Sequence, residues 1–229
     1  MIDKSAIRDA ATVIVLRDAA RYPQILMGQR GAQAAFMPNK FVFPGGAVDA
    51  ADASVPLGSD LLPLCHARLT EEASDIAGAL AAAAIRELCE ETGLVLGLPG
   101  NWPSHVPGDW AGFAATKHVP HAAPLQFVFR ALTPPGRPRR FDARFFLVNA
   151  DALAGDIDDF SAASDELSHL QWIPLARVRD FDLPFITEVV LAEVAARATD
   201  PMPPASVPYF RNDDEQSLFL RLYGRPMTD

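Results

Sequence analysis

A short acidic segment contains the residues of this chain whose spacing is best suited to chemistry. Glu87 precedes Glu90 and Glu91 by three and four residues, so a helix would place all three carboxylates on one face. Neighbouring like charges destabilise an isolated helix, but they suit a hard divalent cation, which prefers oxygen ligands. The spacing therefore favours a metal site, and the alternative is a solvated acidic face on an ordinary helix.

Two neighbouring features favour the metal site, and one neighbouring residue could orient its carboxylates. Arg86 directly precedes the glutamates and can pair with a carboxylate and hold its orientation. The apolar stretch 78–85 predicts that the helix packs against the rest of the protein. Upstream, Gly45 and Gly46 follow a short strand, and a glycine loop lets the backbone approach a metal or a phosphate closely.

Residues 86–94 match the second half of the Nudix signature, R-E-U-x-E-E-x-G-U, in which U is a bulky aliphatic residue. The matching positions are Arg86, Glu87, Leu88, Glu90, Glu91, Gly93 and Leu94. The first half, a glycine followed by five residues and a glutamate, resembles the segment from Gly46 to Asp52, where aspartate replaces glutamate. On these motifs the chain resembles the Nudix hydrolase family over about residues 10–190.

The signature is split in this chain. Between Asp52 and Arg86 lie 33 residues where the family has seven, which indicates an insertion at roughly 53–81. A loop can absorb such an insertion because closure entropy grows slowly with length. The insertion is interpreted either as a lid or specificity element or as a neutral decoration. The split signature, with segments 36–52 and 138–147, resembles the branch that includes a peroxisomal coenzyme A diphosphatase of mammals.

The resemblance implies a site for Mg²⁺ or Mn²⁺. The implied metal ligands are the carbonyl oxygen of Gly45 and the carboxylates of Glu87, Glu90 and Glu91. Arg86 would take part in the catalytic centre by orienting Glu87 or a neighbouring carboxylate.

Two further acids precede the helix. Asp52 occupies the place of the upstream glutamate of the family, and its shorter side chain makes direct contact with a metal doubtful. Asp49 is a second acid in the same loop, and its interpretation as an ordinary loop carboxylate is equally open.

A later acid is implied as a ligand or general base. Many family members use an acidic loop residue shortly before a tryptophan, and Glu166 lies six residues before Trp172. Asp165 is the alternative. The sequence leaves the general base open among Glu90, Glu91 and Glu166.

The resemblance implies metal-dependent hydrolysis of a diphosphate bond in a nucleoside diphosphate derivative. Coenzyme A or an acyl derivative is the first expected substrate, and ADP-ribose, NADH and diadenosine polyphosphates stay open. One alternative is a non-catalytic Nudix domain that senses nucleotides or mediates interactions. Another is a plain α/β interaction protein with a fortuitous acidic helix.

Several side chains are candidates for contact with the substrate. Arg30 ends a predicted strand and could meet a phosphate, with a surface arginine as the alternative. Arg139 and Arg140 could meet an additional phosphate, such as the 3′-phosphate of coenzyme A, with a solvated basic loop as the alternative. Phe36 and Met37 could line a pocket or pack in the core.

Composition narrows the class of protein. The 229 residues carry a formal net charge of −9, which disfavours sequence-independent binding to nucleic acid or to an anionic membrane. The negative charge is nevertheless compatible with a phosphate-bearing substrate, because a divalent cation can supply the positive charge that the protein lacks. The two cysteines fit no metal-ligand pattern, and no signal peptide or membrane-length apolar run is visible, so a cytoplasmic protein is expected. A homodimer is left open.

The elements that must position these residues follow from apolar patterning. Strands are predicted at 12–16, 24–30, 41–43, 125–132, 141–148 and 171–173. Helix signals run from Thr70 to Thr92, where Gly78 leaves open whether there is one helix or two. A further helix is predicted at 184–197, and a final strand or tail follows the proline-rich stretch 201–208.

These elements predict an α/β fold. With the family resemblance, the expectation is a Nudix α/β/α sandwich with a mixed sheet. We expect one domain over 1–229, with the insertion at about 53–81 and a C-terminal tail from about residue 200.

Overall fold

A computed structural model describes residues 6–34, 37–102, 105–200, 202–212 and 216–225. Phe36, a candidate pocket residue, lies outside the described residues. Over the described ranges, no helix combines the length and the apolar character needed to cross a membrane.

The strands predicted from the sequence are present, together with others that were not predicted. The strands are β1 (Ile7–Arg17), β2 (Gln24–Arg30), β3 (Phe41–Val42), β4 (Gly45–Ala47), β5 (Gly97–Pro99), β6 (His118–Pro120), β7 (Gln126–Leu132), β8 (Arg140–Asn149), β9 (Leu167–Pro174), β10 (Val207–Asn212) and β11 (Ser217–Leu222). The α-helices are α1 (Pro63–Thr70), α2 (Ala77–Thr92), α3 (Ala111–Ala115) and α4 (Phe185–Ala195).

Most strands join one mixed sheet. Its order is β11-β10-β7-β8-β1-β2-β3, and β4 and β9 pair with β1 and β2 respectively. The pairs β1–β8 and β7–β10 are parallel, and the other pairs in this sheet are antiparallel. β5 and β6 form a separate two-stranded sheet. The region after about residue 200, expected as a tail or one strand, thus adds the hairpin β10–β11 to the edge of the main sheet.

Strand β1 lies at the centre because both of its faces are apolar. Val13 and Val15 belong to the core on the side of α2, whereas Ile14 and Leu16 belong to the core on the side of α4. A continuous β-branched run is typical of a strand buried on both faces. The sheet therefore lies between helical layers, which confirms the predicted α/β/α arrangement.

The helical signal predicted from Thr70 to Thr92 contains one helix, α2, whereas α1 lies almost entirely before it. α1 ends at Thr70, and Glu72 has a left-handed φ of 58°, which a continuing helix does not allow. α2 begins at Ala77 and runs to Thr92, where Gly93 adopts a left-handed φ of 79° and closes the helix. Residues 80–85 in its alanine-rich part are fully buried against the sheet.

The predicted insertion packs into the core. Its residues Val55, Leu61, Cys65 and Leu69 join the apolar cluster beneath α2. The segment thus extends the helical layer on one face of the sheet.

The end of α1 also holds the C-terminal hairpin. Buried Arg68 donates hydrogen bonds to the carbonyl oxygens of Pro204 and Ala205, at 2.6 and 3.1 Å. The carboxylate of Glu71 accepts hydrogen bonds from the backbone amides of Tyr223 and Gly224, both at 2.6 Å. The two charged side chains therefore attach the segments before β10 and after β11 to α1 and the residue that follows it.

We predict that Glu71→Ala lowers the free energy of unfolding by about 1–3 kcal/mol, because it removes two hydrogen bonds to a charged carboxylate. Urea unfolding of the metal-free protein measures this loss. Glu193→Ala on α4 is the control and should change the unfolding free energy by less than about 0.5 kcal/mol. A loss in Glu71→Ala no larger than in the control would contradict a stabilising role for this contact.

Candidate metal and catalytic site

Helix α2 crosses the sheet beside β1 and β4, and its acidic face meets the glycine loop. A Cβ atom on Gly46 would lie 2.3 Å from Oε1 of Glu87, so a larger residue would push this carboxylate away. A Cβ atom on Gly45 would lie 2.5 Å from the carbonyl oxygen of Ala11. Both glycines are therefore required for the close approach of the helix, the loop and the sheet.

Arg86 lies at the centre of the acidic face and is only 3% exposed. Its Nε and Nη2 donate to the two carboxylate oxygens of Asp52, at 3.0 and 3.1 Å. The side chain of Asp52 is fully buried. This two-point contact fixes the plane of the guanidinium.

The remaining donors of Arg86 reach the glutamates and β4. Nη1 donates to Oε1 of Glu87 at 2.9 Å and to Oε2 of Glu90 at 3.1 Å, and Nη2 donates to the carbonyl oxygen of Ala47 at 3.1 Å. Burial alone would lower the pKa of Arg86, but the hydrogen bonds and charges of Asp52, Glu87 and Glu90 raise it overall. Arg86 therefore stays charged and orients two of the predicted ligands.

Glu91 has the most buried carboxylate of the three glutamates. Its Oε2 accepts the backbone N–H of Gly45 at 2.7 Å. Its Oε1 is buried and has no hydrogen-bond partner. Burial, and next the charge of Glu87, raise the pKa of Glu91 well above its ordinary value. An unpartnered buried oxygen of this kind requires a ligand or a proton.

Glu87 and Glu90 are perturbed in the same direction. Burial raises the pKa of Glu87 from 4.5 to about 7, against the opposing effect of the Arg86 charge. Burial also raises the pKa of Glu90, although its side chain is 41% exposed. The three glutamates thus share a site where extra positive charge would be stabilising.

The donor set fits a hard divalent cation. Among the described residues, no three His, Cys, Asp or Glu side chains are already arranged as a metal cage, and Arg86 holds two of the glutamates instead. However, the buried free oxygen of Glu91 and the raised pKa values of Glu87 and Glu90 show a deficit of positive charge. Carboxylate oxygens are the ligands that Mg²⁺ and Mn²⁺ prefer.

The structure brings Glu166 and Arg30 to the same site. Nη2 of Arg30, at the end of β2, donates to Oε1 of Glu166 at 3.0 Å. The charge of Glu166 raises the pKa of Glu91 and that of Arg30 lowers it. The loop that carries Glu166 is attached to α2 by a hydrogen bond from the amide of Ser164 to the carbonyl of Glu90, at 2.8 Å.

Arg139 and Arg140 are not brought into contact with the glutamates. Arg140 pairs with Ile7 on β1, whereas Gly45 pairs with Thr12, five residues or about 17 Å further along that strand. The guanidinium of Arg140 donates to the backbone carbonyls of Thr133 and Asn212. Arg139 is exposed and directly precedes β8.

Two residues of this site had no assigned role from the sequence. The indole N–H of Trp110 donates to Asp52 at 3.1 Å, and the charge of Asp109 raises the pKa of Glu90. Neither residue belongs to the signature, and 58 positions separate Trp110 from Asp52. Asp49 lies 3.7 Å from Nη2 of Arg86.

Known proteins resemble this chain in sequence and in fold. No protein-family model matches the chain. The Caenorhabditis elegans protein named nudix hydrolase 7 is 31% identical over 181 residues, covering 74% of this chain and 52% of that protein. A crystal structure of a NUDIX hydrolase from Alicyclobacillus acidocaldarius superposes with a TM-score of 0.63 at 25% identity, covering 86% of this chain and 95% of that one. The chain is therefore similar to Nudix hydrolases in both sequence and fold.

The Nudix relatives also include a member of the branch suggested by the split signature. Acyl-coenzyme A diphosphatase NUDT19 of Gallus gallus is 31% identical over 147 residues, covering 50% of this chain and 39% of that protein. The chain spans about half or less of the length of these two curated relatives. The predicted resemblance to the Nudix family and the predicted fold are confirmed.

We predict that the metal-free protein loses stability as the pH rises from about 4.5 to 7. The folded pKa of Glu87 lies above its ordinary value, so the folded state binds the extra proton in this window and loses that advantage on deprotonation. The contribution of Glu87 is on the order of 3 kcal/mol. Urea unfolding at a series of pH values measures it.

Glu87→Gln should flatten this pH dependence, because the amide does not titrate. Glu188→Gln, an exposed position on α4, is the matched control and should keep the wild-type slope. An unchanged slope in Glu87→Gln would show that Glu87 does not titrate in this window.

Proposed function

We propose that this chain catalyses the divalent-metal-dependent hydrolysis of a diphosphate bond in a nucleoside diphosphate derivative. The observation that supports the proposal most directly is the buried Oε1 of Glu91, which lacks a hydrogen-bond partner at a face shared with Glu87 and Glu90. A structural role alone would give that oxygen a donor. The similarity to Nudix hydrolases supports the same chemistry.

The charges of the site support a cation between the protein and the substrate. Pairing Arg86 with Asp52 leaves Glu87, Glu90 and Glu91 without an equivalent amount of positive charge. A diphosphate would add more negative charge. When bound, a divalent cation neutralises phosphate oxygens and lowers the pKa of a bound water.

The reaction adds water to one phosphorus and breaks the bridging P–O bond. The products are a nucleoside monophosphate and a phosphorylated remainder, and a carboxylate accepts the proton of the water. Glu90 is partly exposed and Glu166 is more than half exposed, so both can reach a solvent-accessible water. Glu91 is 1% exposed and is better placed to hold a cation than to exchange protons with solvent.

Arg30 is the candidate phosphate-binding residue nearest to the glutamates. It forms an ion pair with Glu166, and its buried Nε has no hydrogen-bond partner. An incoming phosphate would offer the guanidinium a stronger acceptor and free Glu166 for the water. We therefore assign Arg30 to the substrate and Glu166 to the metal or the water.

The finer substrate assignment is coenzyme A or an acyl derivative. The similarity to acyl-coenzyme A diphosphatase NUDT19 over half of the chain supports it. Exposed Arg139 remains our candidate for an additional phosphate, with Arg140 beside it. ADP-ribose, NADH and diadenosine polyphosphates are the comparison substrates.

We predict that turnover of one such compound requires Mg²⁺ or Mn²⁺ and falls about a hundred-fold or more in Glu91→Gln, because a metal ion supplies several kcal/mol to the transition state. Phosphate-bond cleavage is measured on coenzyme A, acetyl-coenzyme A, dephospho-coenzyme A, ADP-ribose, NADH and diadenosine tetraphosphate. A preference for coenzyme A over dephospho-coenzyme A would support a contact with the 3′-phosphate.

Glu188→Gln serves as the activity control, because its exposed carboxylate lies on α4, across the sheet from the glutamates. Metal binding without turnover of any compound would favour a nucleotide-sensing Nudix domain. An absence of Mg²⁺ and Mn²⁺ binding would refute the proposal.

We predict that Glu166→Gln lowers kcat by roughly a hundred-fold, the scale of a lost general base, and leaves the fold unchanged. Its side chain is 54% exposed, so the substitution buries no new polar group. Asp165→Asn distinguishes the two neighbouring acids. If Asp165→Asn lowers kcat and Glu166→Gln does not, the assignment passes to Asp165.

A further inference from the structure

The carboxylate of Asp52 is held by four hydrogen-bond donors, two on each oxygen. Arg86 supplies one donor to each oxygen. The backbone N–H of Asp49 donates the second hydrogen bond to Oδ2 of Asp52 at 2.9 Å, and the indole N–H of Trp110 donates the second to Oδ1 at 3.1 Å. A buried carboxylate with four donors has a single orientation and no free lone pair for a cation. Asp52 therefore orients Arg86 rather than binding metal.

The fourth donor accompanies a departure of this chain from the Nudix signature. Aspartate is one methylene shorter than glutamate, and 33 residues rather than seven separate it from Arg86. Asp52 lies in the short 3₁₀ turn Ala50–Ser54, which packs on α2 but is not joined to it by a short connection. A donor from elsewhere in the chain then stabilises the carboxylate.

Trp110 is placed for this contact by its own aromatic cluster. It is fully buried, and its ring centroid lies 5.6 Å from that of Trp102 and 5.4 Å from that of Phe113. Trp102 donates its own indole N–H to the carbonyl oxygen of His118 at 2.9 Å, away from the signature. The two tryptophans thus share one cluster but serve different acceptors.

We infer that Trp110 is a positioning residue for the proposed metal site. Its indole N–H fixes the carboxylate of Asp52, and Asp52 fixes the guanidinium of Arg86. Arg86 then holds the carboxylates of Glu87 and Glu90 toward the same face as Glu91. The effect of Trp110 on catalysis rests on the proposed function. Its effect on the orientation of Arg86 does not depend on a bound metal.

The first test uses the metal-free protein. Trp110→Phe removes the indole N–H and keeps an aromatic ring, and Trp102→Phe is the matched control from the same cluster. Hydrogen exchange at Nε–H of Arg86, followed by NMR, should be roughly ten-fold faster in Trp110→Phe, the scale of one lost hydrogen bond. Exchange in Trp102→Phe should equal that of the wild type. Thermal unfolding checks that both variants fold.

The second test measures Mn²⁺ affinity by electron paramagnetic resonance. Removal of a group that orients a ligand typically costs about 10–100-fold in metal affinity or activity, so this loss is expected in Trp110→Phe. Trp102→Phe should bind Mn²⁺ like the wild type. In an Arg86→Lys background, Trp110→Phe should weaken Mn²⁺ binding little further. The effect of Trp110 passes through Arg86, and that residue has already been replaced.

The outcomes separate this inference from the proposed function. Unchanged exchange at Arg86 in a folded Trp110→Phe, or equal effects of the two tryptophan variants, would overturn the positioning role. Unchanged Mn²⁺ affinity in Trp110→Phe, with normal binding by the wild type, would also overturn it and leave the proposed function intact. Failure of the wild type to bind Mn²⁺ would overturn the proposed function, whereas the exchange measurement would still decide whether Trp110 orients Arg86.

Discussion

Burial of the guanidinium of Arg86 is the constraint on which the arrangement of this site depends. A charge removed from water is strongly unfavourable unless it is paired and hydrogen-bonded. Asp52 meets most of that requirement with two hydrogen bonds, and the carbonyl of Ala47 ties the same group to β4. One ion pair therefore joins the turn after the glycine loop, the sheet and the helix α2.

The charge balance of the site follows from this pairing. Because Asp52 offsets Arg86, the glutamates of α2 receive only a share of one guanidinium, through Nη1. Burial then raises the pKa values of Glu87, Glu90 and Glu91. The three carboxylates of Glu87, Glu90 and Glu91 therefore lie close together at an unfavourable electrostatic cost, which a bound divalent cation would offset. This cost connects the fold to the proposed chemistry.

The split of the signature has a structural counterpart on the same face of the sheet. The intervening segment fills the core beside α2 and, through Arg68 and Glu71, holds the C-terminal hairpin. Segment 97–120 provides Trp110 to the buried carboxylate of Asp52. Elements distant in sequence thus support α2. In a contiguous signature, short connections would position this helix.

The sequence alone determined the parts that depend on local pattern. The central strand was predictable from its β-branched run, α2 from its alanine-rich stretch and Gly93, and the acidic face from the spacing of its glutamates. Tertiary structure alone decided which oxygen of Glu91 stays without a partner, that Arg30 pairs with Glu166, and that Trp110 reaches Asp52. These contacts join residues 46 to 136 positions apart, and no periodicity or local propensity encodes the packing that brings them within hydrogen-bond distance.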